Sequence, residues 1–359
     1  MKILTLISSG LNRPDINKLL QEEAADRMPR ISLYQRELNS DMLDERFLQT
    51  IPKWRKIIYK FLPIVLQQVI EAYIICHKYD LVVTWAERLA YPFAFLLKIT
   101  NRRVPHITLN SWISNPKKSK FLKLTISHID KILLWSSVQK NFALNHLKIP
   151  ESKIEFIRKF ADQKFFRPIE RETDLICAVG SEMRDYPTLV EALRGTDIPC
   201  HIAAGLTRGK LYNTVKALYD IKELPPNITI GPKYYYELRE LYARSRFVVV
   251  PILPTDTDNG LTCILESMAM GKAVICSRTV GQVDVIQDGI TGIYVPVQDP
   301  LALREAIIYL WNNPEIAKKM GLAGRRYLEE HHTFEQFIES MRTIIEKVIM
   351  EHKQRKNNL

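Results

Sequence analysis

The chain of 359 residues is predicted to be an α/β protein made of two doubly wound parallel-sheet domains, and three observations predict it. Short apolar runs of strand length alternate with stretches of helical period from end to end, which is the pattern of repeated βαβ units. The length suits two domains, each large enough for its own core. A charged linker, Pro168 to Thr173, interrupts the alternation near the middle.

In the first half, Lys2 to Ser8 reads as the opening strand, followed by Ser9-Gly10 and a polar stretch with no dinucleotide fingerprint. Ile51 to His77 reads as helix, with Trp54, Ile57, Ile58, Phe61, Leu62 and Val65 on one face and Lys53, Arg55, Lys56 and Lys60 around it. Two readings stay open: a helix lying in a membrane interface, or a core-facing helix with a solvated basic face. Asp80 to Trp85 and Val104 to Leu109 are further buried strands. Trp85, Glu87 and Arg88 trail the first of these and Asn110, Ser111 and Trp112 the second, at the carboxyl edge where such sheets bind ligands. His106 lies inside its strand and reads as a core histidine. Lys117, Lys118, Lys120 and Lys123 form a second basic cluster, either on lipid head groups or simply solvated.

The second half is expected to hold strands at Leu175 to Val179, Cys200 to Ala204, Asn227 to Ile230, Phe247 to Leu253, Ala273 to Cys276 and Ile293 to Val295. Phe247 to Leu253 is wholly apolar, as a strand buried on both faces is. A polar loop, Pro254 to Gly260, leads into a helical stretch from Leu261 to Met270 that Gly271 stops. Backbone N–H groups at that helix start, around Leu261 and Thr262, together with the helix dipole, favour a phosphate, and Gly260 lets backbone come close. One turn on, Glu266 could accept two hydrogen bonds from a cis-diol such as ribose. The alternative is an ordinary solvated helix residue. Asp299-Pro300 and Thr333-x-x-Gln336 read as helix starts.

Composition narrows the class. Hydrophobic residues at 46% and charged residues at 25% are ordinary for a globular protein and argue against disorder. The five cysteines (Cys76, Cys177, Cys200, Cys263, Cys276) form no C-x-x-C pair and read as buried thiols of a reducing compartment, with neither disulfides nor zinc. No signal peptide is expected, because Met1-Lys-Ile-Leu enters a strand directly, and no apolar run is long enough to cross a bilayer. The net charge of +11 sits in residues 1 to 150, which hold 23 Lys+Arg against 12 Asp+Glu, while residues 151 to 359 hold 28 of each. A basic half points to an anionic partner, with membrane or acidic acceptor ahead of nucleic acid, for which no binding motif is present.

Asp258-Asn-Gly-Leu-Thr-Cys-Ile-Leu-Glu266-Ser-Met-Ala-Met-Gly-Lys-Ala-Val-Ile resembles the E-x7-E segment of the family 4 retaining glycosyltransferases. Gly281 to Gly292 and Val295 to Leu303 are similar to the rest of that signature, and Phe160 to Pro168 resembles the segment that closes the family's first domain. The resemblance implies a GT-B fold, two Rossmann-like domains facing across a cleft, with an acceptor domain over 1–168, a nucleotide-sugar domain over 174–333 and a last helix, 334–359, returning to the first domain. It implies that Glu266 holds the donor ribose and Asp258 the donor sugar, Asp258 being one methylene shorter than the family's Glu. After Gly180, Arg184 takes the role of neutralising the leaving diphosphate, in a loop two residues shorter than usual. Gly205, Asn259, Gly260, Leu261 and Thr262 line the donor, and Lys233 or Tyr234 flanks its base. Acceptor contacts fall on Gly10, Trp85, Glu87, Arg88 and Asn110, the last where many relatives carry a His.

The implied activity is transfer from a UDP-sugar, or a GDP-sugar, to a sugar, lipid-linked or other hydroxyl acceptor. A role in cell-envelope polysaccharide or glycolipid synthesis follows, in the cytoplasm or at the inner face of the membrane. Asp256-Thr-Asp258 looks like a metal-binding D-x-D, but the family's diphosphate is held by the helix start, so no cofactor and no essential metal are expected. Two alternatives remain: a nucleotide-sugar epimerase of the same fold, and a nucleotide-sugar-binding protein without catalysis.

Overall fold

The computed structural model describes residues 1–8, 15–205 and 213–357. The chain divides into two compact units, one of Met1–Leu19, Ile31–Ile157 and Phe337–Leu359, the other of Leu20–Arg30 and Arg158–Gln336. Each is built on a six-stranded, wholly parallel sheet.

The strands of the first unit are β1 (Ile3–Ile7), β2 (Ser40–Leu43), β3 (Leu81–Trp85), β4 (His106–Asn110), β5 (Lys131–Leu134) and β6 (Ile154–Phe156), ordered β2-β1-β3-β4-β5-β6. Those of the second are β7 (Leu175–Val179), β8 (Cys200–Ala203), β9 (Ile228–Ile230), β10 (Ser245–Val250), β11 (Ala273–Ser277) and β12 (Gly292–Val295), ordered β12-β11-β10-β7-β8-β9. The chain starts in mid-sheet, works outward, then returns to the other side of its first strand. Connections therefore diverge between β1 and β3 in one sheet and between β7 and β10 in the other. A crevice at the carboxyl ends is built into each of these points.

Burial explains why the strands read as unbroken apolar runs. Cys177, Val248, Val250, Val274 and Cys276 enter one core of the second unit, and Ile176, Ala178, Phe247, Val249, Ala273 and Ile275 enter the core on the opposite face. Successive side chains point to opposite faces, and both faces are covered by helices. All five cysteines are free and buried. His106 is fully buried, bonded to Thr84 Oγ1 at 2.9 Å and to the His128 carbonyl at 3.1 Å, and its pKa is lowered to about 4, chiefly by burial. The anticipated caps form: Asp299 accepts from the N–H groups of Leu301 and Ala302, and Thr333 and Gln336 exchange backbone-to-side-chain bonds at 2.9 and 3.2 Å.

Three features differ from the reading above. The helix expected over Ile51 to His77 is two, Lys53–Tyr59 and Ile64–Ile75, because Pro63 cannot continue a helix and stands in extended backbone at its start. The strands β2, β5 and β6 are not among those expected, and β2 carries the polar Ser40 and Asp41. The units meet in sequence at 157/158 rather than at 168, and residues 20–30 group with the second unit. Asp162 is the reason: its carboxylate takes hydrogen bonds from the Arg30 backbone and guanidinium at 2.6 to 3.1 Å, while Ala161 N–H donates to the His332 carbonyl.

The helix Pro314–His331 approaches the turn before β11 so closely that a Cβ on Gly321 would lie 2.0 Å from the Gly271 carbonyl oxygen. Alanine favours a helix over glycine by about 1 kcal/mol, but backbone displacement of this kind costs roughly 1–3 kcal/mol. Gly321→Ala is expected to lower the thermal midpoint, where a gain would show that the helix shifts freely.

Candidate functional site

At the divergence of the second sheet, the turn after β7 and the loop after β10 are laced together. Asp185 N–H donates to the Pro251 carbonyl and Leu253 N–H to the Met183 carbonyl, both at 3.1 Å. The 254–260 loop is then fixed from the side. Gln282 Nε2 donates to the Asn259 carbonyl at 2.8 Å, Gly281 N–H to the Thr255 carbonyl at 3.2 Å, and Asn259 Nδ2 bonds the hydroxyls of Thr255 and Thr257. Gly260 ends the loop at φ +88°, and a Cβ there would lie 2.8 Å from Val250 and 2.9 Å from Ile252. Only glycine fits both the left-handed backbone and the space.

The helix Leu261–Ala269 begins immediately, and its N-cap residue, Gly260, has no side chain to cap it. Of the two N–H groups expected there, that of Leu261 is used by the Asp258 carbonyl at 3.1 Å, and its side chain is buried. Among the described residues the N–H of exposed Thr262 meets no acceptor, and the helix dipole stands behind it. Asp258 and Asn259 are half-buried on the loop rim.

Glu266 is not a solvated residue. It is half-buried, and its carboxylate accepts a hydrogen bond from the fully buried Tyr242 hydroxyl at 2.9 Å. Burial pushes its pKa up from 4.5 to about 7, against the lowering effect of the Tyr242 bond and the nearby charges of Lys159 and Arg184. A carboxylate has about four acceptor positions, so one tyrosine bond leaves it able to take a diol.

Arg184 corrects the expectation of a fork presented to a diphosphate. Its guanidinium is turned inward and 5% exposed: Nε donates to the Val179 carbonyl at 2.9 Å, Nη1 to the Glu182 carbonyl at 2.8 Å and Nη2 to Cys263 Sγ at 3.2 Å. It occupies the place of a Gly180 side chain, since a Cβ there would meet Nη2 at 2.4 Å, and Gly180 has φ +111°. Gly205 also serves packing, because the Pro232 ring lies 2.9 Å from where its Cβ would be. Lys233 and Tyr234 are exposed just before the helix Tyr235–Arg244.

In the first unit, several expected acceptor residues are braces. Glu87 is buried and accepts from the N–H groups of Ser111 and Trp112 at 2.7 and 2.6 Å. Asn110 is wholly buried between Thr108 Oγ1, at 2.6 Å, and Tyr91 Oη, at 2.9 Å. Trp85 packs among Tyr34, Trp135 and Phe337, with centroids 5.4 to 6.3 Å away. Arg88 is exposed and reaches the Ser8 carbonyl at 2.6 Å. Gly10 lies outside the described residues. Among the described residues no group of three or more His, Cys, Asp or Glu side chains is placed to hold a metal, and no helix is long and apolar enough to cross a membrane. Sequence reasoning missed Tyr242, Gln282 and the Cys263 thiol. Cys263 and Gln282 lie in segments the sequence singles out, but their partners do not show in local spacing, and Tyr242 comes from a separate helix that no pattern ties to the site.

Residues 184–313 match the family described as glycosyl transferases group 1. An uncharacterized glycosyltransferase of Methanocaldococcus jannaschii is 24% identical over 251 residues, 68% of this chain and 69% of that protein. The human alpha-1,3/1,6-mannosyltransferase ALG2 is 24% identical over 291 residues, covering 77% and 67%. Among solved structures, Anabaena HepE in complex with UDP-glucose superimposes with a TM-score of 0.69 at 15% identity, over 98% of this chain and all of that one.

Because the Glu266 pKa is raised on folding, the folded state holds this proton more tightly than the unfolded chain does. The destabilisation is therefore absent below the ordinary value of 4.5 and grows as pH rises through about 7. Glu266→Gln, which keeps an acceptor for Tyr242, is expected to melt with wild type near pH 5 and above it near pH 8. Equal midpoints at both pH values would show that Glu266 ionises normally.

Proposed function

We propose that the chain is a group 1 glycosyltransferase with the GT-B fold, a retaining family 4 enzyme moving a sugar from a nucleoside-diphosphate sugar to an acceptor hydroxyl. The observation that carries the reading is the uncapped helix start at the divergence of the second sheet, with Glu266 one turn beyond it. The N–H of Thr262 and the helix dipole take the diphosphate, and Glu266 takes the ribose diol. Asp258 reaches the sugar hydroxyls from the loop rim, and Lys233 or Tyr234 flanks the base. Arg184 contributes positive charge from beneath the helix start, with three of its five donors bonded to the protein. The leaving diphosphate is stabilised by these groups without a metal, and the acceptor attacks from the face the diphosphate leaves.

UDP is the first donor base to try, supported by the UDP-glucose held by the Anabaena protein, and GDP is the second. The acceptor belongs on the first unit, with Arg88 as its one exposed candidate among the expected side chains. We place the reaction in cell-envelope polysaccharide or glycolipid synthesis, at the cytoplasmic face of a membrane, with the basic excess of residues 1 to 150 as support. Asp258 in place of Glu favours one rival, a nucleotide-sugar-binding protein without turnover.

Thermal shifts with UDP, GDP and their sugar conjugates, in EDTA, test the donor site. A ligand at about 100 times its Kd adds roughly 2.7 kcal/mol, and Glu266→Ala is expected to abolish the shift. Absence of any shift with wild type removes the donor assignment. Binding without transfer to any acceptor selects the rival.

A further inference from the structure

The two short helices Lys53–Tyr59 and Ile64–Ile75, joined at Phe61 to Pro63, leave an apolar ridge in the open. Trp54, Ile57 and Ile58 follow helical spacing i, i+3, i+4 and so share one face, and Phe61 follows in the turn. They are 59%, 69%, 57% and 87% exposed. This is the reverse of what an amphipathic helix on a globular core does, and the structure shows why it is stable. The opposite face is pinned: Glu71, 1% exposed, accepts from Tyr59 Oη at 2.7 Å and from Arg55 Nη1 at 2.8 Å. Gln67 Nε2 closes the turn by donating to the carbonyls of Tyr59 and Leu62 at 3.1 and 2.8 Å. Arg55 and Tyr59 thus face inward, and the apolar stripe faces out.

We propose that this ridge is a membrane anchor that inserts its apolar residues into an anionic lipid surface. Charge chooses the occupant. Between Glu45 and Glu71 the chain holds five basic residues and no acidic one, and Lys53, Lys56 and Lys60 are exposed around the ridge. Lysines flanking Trp, Ile and Phe are the composition of an interfacial helix on anionic lipid. Protein interfaces are depleted in lysine, and a second copy docked about a two-fold axis would set these lysines against one another. The inference rests on the membrane placement proposed above and makes it specific to one surface; it needs neither donor nor turnover.

The test is co-sedimentation of the full chain with vesicles of phosphatidylcholine alone and of phosphatidylcholine mixed with phosphatidylglycerol. Binding is expected only to the mixed vesicles, weakening with salt. Ile57→Ser with Phe61→Ser is expected to lower it at least about tenfold, and Lys53→Gln, Lys56→Gln and Lys60→Gln about fivefold each. Because these side chains are exposed, thermal midpoints without vesicles should match wild type, which separates lost docking from lost folding. Vesicle binding that survives the serine pair but is lost with Lys117→Gln, Lys120→Gln and Lys123→Gln overturns the ridge and keeps the membrane placement. No binding to either vesicle overturns both, as does a dimer that the serine pair dissolves in a protein that ignores vesicles.

Discussion

A buried guanidinium holds the carboxyl edge of the second sheet together. Arg184 is almost out of contact with water, and a charge there is tolerable only when its donors are met. Three of its five donors are met, by the carbonyls of Val179 and Glu182 and by the Cys263 sulfur. These three partners belong to the end of β7, the turn after it and the first turn of the helix after β10. One side chain therefore ties the two connections that diverge in this sheet, and Gly180 is glycine because that side chain fills its place. The helix start is held by the same contact that sets positive charge beneath it.

A second electrostatic constraint opposes the first. The helix start and Arg184 favour an anion, while Glu266, on the same helix, is itself an acid. Burial resolves part of the conflict by raising the Glu266 pKa to about 7, and Tyr242 holds the carboxyl in position by donating to it. A group poised in this range keeps its acceptor capacity at neutral pH at modest cost. An anion-favouring helix start and a carboxyl group thus stand one helical turn apart on the same helix.

The first unit uses its polar residues differently. Glu87 and Asn110 stand at the ends of buried strands, where ligand contacts are common, yet both are spent on satisfying backbone and hydroxyl groups nearby. Buried polar atoms have to be bonded, and here the protein supplies the partners itself. What this unit leaves exposed is Arg88 and the basic, apolar helical ridge.

Much was determined by the sequence alone. Alternating apolar runs specify strands buried on both faces, so the two doubly wound sheets were legible, as were the Thr333 and Asp299 caps and the core position of His106, each resting on local chemistry. The Leu261 helix with Glu266 one turn in was legible because helical spacing fixes it. The tertiary structure decided what spacing cannot express: where a side chain turns. Arg184 faces inward because Cys263, 79 residues away, offers it a partner. Glu266 is held by Tyr242, 24 residues away. The stripe from Trp54 to Phe61 has the period of a core-facing helix, but Glu71 anchors the opposite face and leaves the stripe exposed. Period states that one face is apolar; only long-range hydrogen bonds determine which way that face points.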